Sequence, residues 1–306
     1  MKKLLAKSLL FLLPLVVFFI YLEVNLSTIQ NSYSYKRQCF EQQLDSIEVL
    51  VLGSSQVVYG INPAFFTLHG FNLSNVSQTL YYDTHLPLAY LDRMPRLKYV
   101  IINISYFSFG EQLIDGREAW RDYYYAQYWD VNFPEMEYLD SKRFSKIFLY
   151  TPMRSLSYFW DGFQVDLIKN YEPSGYARID TTIHTQSDST GFLRVRTHDD
   201  CFLEKRIAEN QRDVEEFIRV LQARNITPVL VTPPVCETYS KFINHEKMQQ
   251  NYDRVQSMCS KYNCKYFNYF SDTRFTKTDF CDNDHLNFIG AEKFSRIINR
   301  EVLGGQ

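Results

Sequence analysis

Along the chain, short apolar runs rich in Val, Ile and Leu alternate with longer stretches whose apolar residues recur every three or four positions. The short runs predict strands buried on both faces: "IEVLVLG" (47–53), the β-branched "LKYVIINIS" (97–105), "ITPVLVTPP" (226–234) and "CKYFNYF" (264–270), with room for a short strand in "GFNLSNVS" (70–77). The longer stretches predict helices. "CFLEKRIAENQRDVEEFIRVLQARN" (201–225) places Ile207, Val214, Phe217, Ile218 and Leu221 at helical spacing. "EKMQQNYDRVQSMCSKYN" (246–263) is a second, and "IGAEKFSRIINREVL" (289–303) a third, with Ile289, Phe294, Ile297, Ile298 and Val302 on one side. Strands separated by helices imply a mostly parallel sheet covered on both faces, a three-layer α/β/α sandwich. In such sheets ligands bind outside the carboxyl ends of the strands.

Two segments fall outside this alternation. The N-terminus, "MKKLLAKSLLFLLPLVVFFIYLEVNLS", carries an uncharged run from Ser8 to Leu22, and counting from Leu4 with Lys7 snorkelling the apolar helix reaches 19 residues. That length just crosses a bilayer. Lys2, Lys3 and Lys7 favour a cytoplasmic N-terminus, which puts the main domain on the extracytoplasmic side of the cell membrane. A cleaved secretory signal would share that consequence, but "YLEVNLSTIQ" offers no A-x-A-like cleavage site. The expected organisation is an anchor over 1–25, a stalk or short helix over 26–46, and an α/β domain over 47–306 with an aromatic-rich insertion at about 110–200. Within the insertion, Trp120, Tyr124, Tyr128 and Trp129 fall roughly along one helical face. They either pack the insertion onto the core or form a lid or sugar-stacking surface, since such rings are flat and apolar with polar tips.

Composition narrows the partners. The formal charge of −2 and the lack of a basic stripe or recognised motif exclude a nucleic-acid partner. The six cysteines, Cys39, Cys201, Cys236, Cys259, Cys264 and Cys281, match no zinc spacing, so no metal site is expected from them. An exported domain permits disulfides, and Cys259 with Cys264 is the first local candidate, against unpaired buried thiols.

The strand at 47–53 ends on Gly53-Ser54-Ser55, and the last helix is preceded by Asp282-Asn283-Asp284-His285. A serine hydroxyl is a weak nucleophile that needs a base within hydrogen-bond reach. A histidine three residues after an aspartate can give that carboxylate one ring N–H and present the other nitrogen as base. Ser55 is therefore a candidate nucleophile, His285 the base and Asp282 the orienting acid, with Asp284 an alternative partner. The bland readings are a helix cap for Ser55 and a loop histidine for His285. His69, His85, His184, His198 and His245 have no comparable context and read as surface or packing residues.

In order and context these blocks resemble the SGNH/GDSL hydrolase superfamily, with Ser54 in place of the aspartate of Gly-Asp-Ser. A Gly-Ser-Ser variant behind one N-terminal anchor looks most like its envelope branch, which includes the teichoic acid D-alanyl transfer protein and the alginate O-acetylation proteins. The resemblance implies an oxyanion hole from the backbone N–H groups of Ser55 and Ser77, aligning "FNLSNVSQT" (71–79) with the second block, Asn72 on its asparagine. It departs at the third block: "NISYFSFG" (103–110) puts Phe107 or a neighbour where an asparagine is expected, and Asn103 stands four residues too early.

The expected function is a membrane-anchored serine esterase or O-acyltransferase acting on an acylated envelope glycan or similar ester, with no metal or organic cofactor. The alternative is a catalytically silent domain of the same fold that binds glycan or a membrane acyltransferase partner. A further alternative is another doubly wound fold binding a metal through Asp279, Asp282 and Asp284.

Overall fold

The computed structural model describes residues 2–179 and 186–305, with side chains from residue 10 onward. His184 and the side chains of Lys2, Lys3 and Lys7 lie outside the described residues. The chain divides into two compact units, Met1–Tyr35 with Trp120–Lys169, and Lys36–Ala119 with Asn170–Gln306.

The larger unit holds a sheet of five parallel strands: β1 (Val49–Leu52), β2 (Gly70–Asn72), β3 (Tyr99–Asn103), β4 (Thr227–Thr232) and β5 (Lys265–Asn268), in the order β2-β1-β3-β4-β5. Register follows the apolar runs: Val51 lies opposite Ile101, Ile102 opposite Leu230, and Val231 opposite Phe267. Alternation sends Val49, Val51, Ile101, Val229 and Val231 to one face, where they pack with Phe294, Ile297 and Ile298 of α12 (Phe288–Glu301). The alternate residues Leu50, Leu52, Val100, Ile102 and Leu230 are equally buried. Beyond them α9 (Glu204–Ala223) packs on β4, α11 (His245–Tyr262) on β5, and the short α4 (Leu80–His85) on α9. Each fully buried apolar side chain contributes about 1.5–3 kcal/mol over an exposed one, so burial on both faces selects β1, β3 and β4, whereas the edge strand β5 keeps Lys265 and Asn268 exposed. The strand order reverses at β1, which places the switch-point crevice at the carboxyl ends of β1 and β3.

Two segments around the sheet are placed by contacts distant in sequence. The compact insertion is Trp120–Lys169; the segment from Asn170 onward returns to the sheet unit, where Ser174 O accepts from Asn72 N and Val58 O from Ala177 N. That segment includes α8 (Asp188–Cys201), which packs on α10 (Glu237–Ser240). The stretch read as a stalk or short helix contains α2 (Ser32–Glu41), whose Phe40 is buried against Phe71 and Tyr90, ring centroids 5.1 Å from each. Its polar composition conceals this because Lys36 is also buried, with Nζ donating to the carbonyls of Asn72 and Ser74.

The smaller unit contains α1 (Lys2–Thr28), α5 (Asp122–Trp129), α6 (Lys146–Leu149) and α7 (Pro152–Trp160). Within α1, Leu10–Thr28 is long and apolar enough to cross a membrane and is 11% buried. The six cysteines are free thiols, with Cys264 Sγ 3.1 Å from Cys259 Sγ, so the local pair is adjacent but unbonded.

Candidate active site

The turn after β1 is shaped by Gly53. Its φ is +145°, and a Cβ there would stand 2.3 Å from Asn103 Cβ, so no side chain fits. Ser54 is extended and its Oγ donates to Asn103 Oδ1 at 3.3 Å. Ser55 opens the four-residue helix α3 (Ser55–Val58), held by Val57 and Val58 N–H groups donating to Ser54 O. The turn is also tied from below: the carboxyl of Asp83, fully buried, accepts from Gly53 N–H and, at 2.6 Å, from Gln78 Nε2. Burial pushes the Asp83 carboxyl up to about 7. Replacing Asp83 by alanine removes the acceptor of Gly53 N–H and of Gln78 Nε2, and a buried donor that loses its acceptor costs about 1–3 kcal/mol. Asp83→Ala is expected to lower the urea midpoint clearly, and Asp83→Asn, which keeps an acceptor, much less; equal midpoints for both variants and wild type would rule the tie out.

The base comes from the turn before α12. Asp282 Oδ1 accepts from the backbone N–H of Asp284 at 3.0 Å and of His285 at 2.8 Å, which fixes the carboxylate. Its Oδ2 lies 2.8 Å from His285 Nδ1, and His285 Nε2 lies 2.8 Å from Ser55 Oγ. With Nδ1 donating to Asp282, Nε2 is left to accept from the serine hydroxyl. Asn287 then starts α12 by accepting from Ile289 and Gly290 N–H, which anchors the loop to the core.

Behind the histidine lies a buried charge group. Asp284, its side chain 1% exposed, sits with Oδ1 3.8 Å from His285 Nδ1 and is gripped by Arg194 through two hydrogen bonds of 2.8 and 3.0 Å. His198 Nε2 is 3.9 Å from Asp284 Oδ2, while its Nδ1 meets Tyr239 OH at 2.6 Å. Burial pulls His198 down to about 3, outweighing Asp284, so this ring is neutral. Asp284 is held well below the usual carboxylate range: burial opposes this, but His285, Arg194 and His198 prevail. Burial also pulls His285 down, and the charge of Asp284 and the bond to Asp282 overcome it, so His285 titrates above its ordinary value. Arg194 and His198 were not among the sequence candidates. Their four-residue spacing on α8 puts both on one helix face, the one signal that could have marked them. Gly191, one turn earlier, lets α8 approach: a Cβ there would lie 1.7 Å from Thr238 O.

The loop after β2 runs beside the nucleophile turn, with Leu73 N donating to Val51 O and Asn75 N to Gly53 O. Asn72 Nδ2 donates to Val57 O and Ile61 O, both at 2.7 Å, clamping α3 to this loop. Ser77 has φ +57°, and among the described residues its N–H and that of Ser55 have no protein acceptor. At the third block Phe107 packs on the His198 ring, centroids 4.0 Å apart. The Asn103 side chain instead contacts the nucleophile turn, accepting from Ser54 and Ser105, and Ser105 also donates to Gln56.

The other candidates are distributed differently. Tyr124, Tyr128 and Trp129 are buried in the smaller unit, where Tyr124 packs tilted against Tyr33 and edge-on to Tyr150; Trp120 alone of the four is exposed. Buried rings cannot present a face to a sugar, so only Trp120 retains that capacity. Of the carboxylates considered for a metal, Asp282 and Asp284 lie beside His285. Asp284 is paired with Arg194 and Asp279 with Lys293 at 2.8 Å, so a cation would have to displace both partners.

A family model described as DltD protein matches residues 204–299, about a third of the chain, including Asp282 and His285 but not Ser55. No curated protein matches the sequence. Among solved structures the chain is similar to a candidate acylhydrolase from Bacteroides fragilis, at 11% identity over 88% of this chain and 94% of that one, TM-score 0.42. It is also similar to a GDSL-like lipase from Bacteroides thetaiotaomicron, at 9% identity over 90% and 98%, TM-score 0.42. A candidate arylesterase from Agrobacterium tumefaciens matches at 11% identity over 85% and 100%, TM-score 0.34. With its β2-β1-β3-β4-β5 parallel sheet, its serine at the end of β1 and its Asp-x-x-His before α12, the chain has an SGNH hydrolase-like fold whose segment 204–299 is similar to the DltD protein family.

Proposed function

We propose that this protein is a membrane-anchored serine esterase or O-acyltransferase acting on an acylated envelope glycan or similar ester. The observation that carries the reading is the relay Asp282–His285–Ser55, closed by two contacts of 2.8 Å. Ser55 Oγ attacks the acyl carbonyl as its proton passes to His285 Nε2. The imidazolium is stabilised by Asp282 directly and by the buried charge of Asp284. The N–H groups of Ser55 and Ser77 hold the tetrahedral oxyanion. On collapse the leaving alcohol takes the proton from His285, and the acyl group stays on Ser55 until water or a sugar hydroxyl accepts it. The α1 helix supports attachment to the membrane, and Lys2, Lys3 and Lys7 ahead of it favour the catalytic unit on the extracytoplasmic side, where such glycans reside.

The testing experiment is labelling of the full chain with a fluorophosphonate, followed by peptide mapping. Stoichiometric modification at Ser55, absent in Ser55→Ala and His285→Ala, is the expected result. A folded protein that stays unlabelled would favour the silent glycan- or partner-binding reading, which the loss of the third-block asparagine also favours.

The labelling rate also has an expected pH dependence. His285 must be neutral to accept the serine proton, and its pKa is raised above 6.5. The rate is expected to fall as pH drops through a midpoint above 6.5. A flat profile across that window would exclude His285 as the base.

A further inference from the structure

We infer that the segment from Leu139 to Trp160 is a membrane-interface element that lies in the bilayer beside α1, so the protein is held by an embedded surface as well as by a single span. The inference rests on the reading of α1 as a membrane span. Its evidence lies wholly within the smaller unit.

The segment carries apolar side chains that remain exposed among the described residues. On α7, Met153, Leu156 and Trp160 follow one another at helical spacing, and Met153 and Trp160 are 77% and 79% exposed. Leu139 is 82% exposed, and Phe144 and Phe148 are also exposed. The opposite side of α7 is ordinary interior: Ser155 and Tyr158 are buried, the latter edge-on to Tyr150. Scattered exposed apolar residues need no explanation, but three on one face of α7, with three more exposed within fifteen residues before them, mark an interaction surface.

Contacts with α1 identify what meets that surface. Glu23 accepts from Ser145 Oγ at 2.7 Å and from Lys146 N at 2.6 Å, which pins the start of α6 to the end of the span. Deeper, the Phe159 ring lies 6.0 Å from Phe18, and the Phe163 ring 6.0 Å from Tyr21. Phe18 is four residues before Leu22, the last residue of the uncharged run. At 1.5 Å per residue that places it about 6 Å below the level of Leu22. Whatever touches Phe18 lies at that depth too, and interfacial helices bury their apolar face about 5–10 Å. Trp160 follows Phe159 on α7, so its exposed ring lies within one helix diameter of that depth.

The flanking chemistry agrees. Residues 138–163 carry Lys142, Arg143, Lys146 and Arg154 against Asp140 and Asp161, a basic excess suited to anionic headgroups. Arg143 lies over the Tyr138 ring at 5.0 Å, a cation–aromatic pairing suited to the headgroup layer.

The test places the full chain in phosphatidylcholine–phosphatidylglycerol vesicles whose acyl chains are brominated. Trp160 emission is read as the difference between wild type and Trp160→Phe. The expected component is blue-shifted, loses most of its intensity to the brominated chains and is untouched by aqueous iodide. Met153→Asp with Leu156→Asp is expected to return it to the red, iodide-accessible state. A red component that iodide quenches in the unaltered protein would overturn the inference. So would a component shielded from both quenchers, which would mean that a second copy covers the surface. Carbonate extraction of the same vesicles reports α1 separately. Protein that resists extraction while Trp160 faces water would refute the embedded segment and leave the span intact.

Discussion

Replacing Ser55 or His285 by alanine is expected to lower kcat/KM for a simple activated ester by roughly 10⁴–10⁶-fold, with the fold retained. Ser55 is one end of a proton path whose contacts are both 2.8 Å and His285 is its middle, and such groups act as a unit. Asp282→Asn is expected to cost less than about 10⁴-fold, the loss typical when the orienting aspartate is neutralised. The reason is local: Asp282 is 38% exposed, and the buried Asp284 carboxylate stays 3.8 Å from His285 Nδ1. The double variant Asp282→Asn with Asp284→Asn is expected to fall to the level of His285→Ala. Ester turnover by Ser55→Ala at the wild-type rate would remove the nucleophile assignment altogether.

The second large effect is expected at Arg194. Arg194→Met leaves Asp284, 1% exposed, as a buried carboxylate without its two-bond partner. Breaking a buried pair from one side costs about 3–5 kcal/mol. Arg194 keeps 33% of its side-chain exposure, so a loss near 3 kcal/mol is expected in urea unfolding. Arg194 also holds His285 down, so its removal is expected to move the pH midpoint of Ser55 labelling upward. Arg194→Met with Asp284→Asn is expected to recover much of the stability, since no unpaired charge then remains. An unchanged urea midpoint in Arg194→Met would show that water already neutralises Asp284.

Much of this molecule was legible in its pattern of residues. The four apolar runs became β1, β3, β4 and β5, the stretch with room for a short strand holds β2, and the three periodic stretches became α9, α11 and α12, within a few residues of the expected ends. Parallel strands buried on both faces must be nearly all apolar, and long amphipathic helices must repeat every three or four residues; both constraints are written locally. Ser55, His285 and Asp282 were legible for a similar reason. A glycine-serine turn closing a strand, and an Asp-x-x-His loop opening a helix, each form from neighbours in sequence.

What tertiary structure decided is what depends on residues brought together from far apart. Whether Lys36 was a stalk residue or a buried clamp on the loop at 72–74 depended on carbonyls more than thirty residues away. Asn103, one residue of a strand, was brought against the nucleophile turn by sheet pairing, while Phe107 was carried off to pack on His198. Arg194 and His198 belonged to a polar stretch with no strong periodicity, and only the docking of α8 gave them Asp284 as a partner. Local propensity and hydrophobic period therefore determined the elements and the two ends of the candidate relay. The electrostatic setting of its histidine is a long-range property, since a charge is tuned by whatever group the fold places within a few ångströms of it.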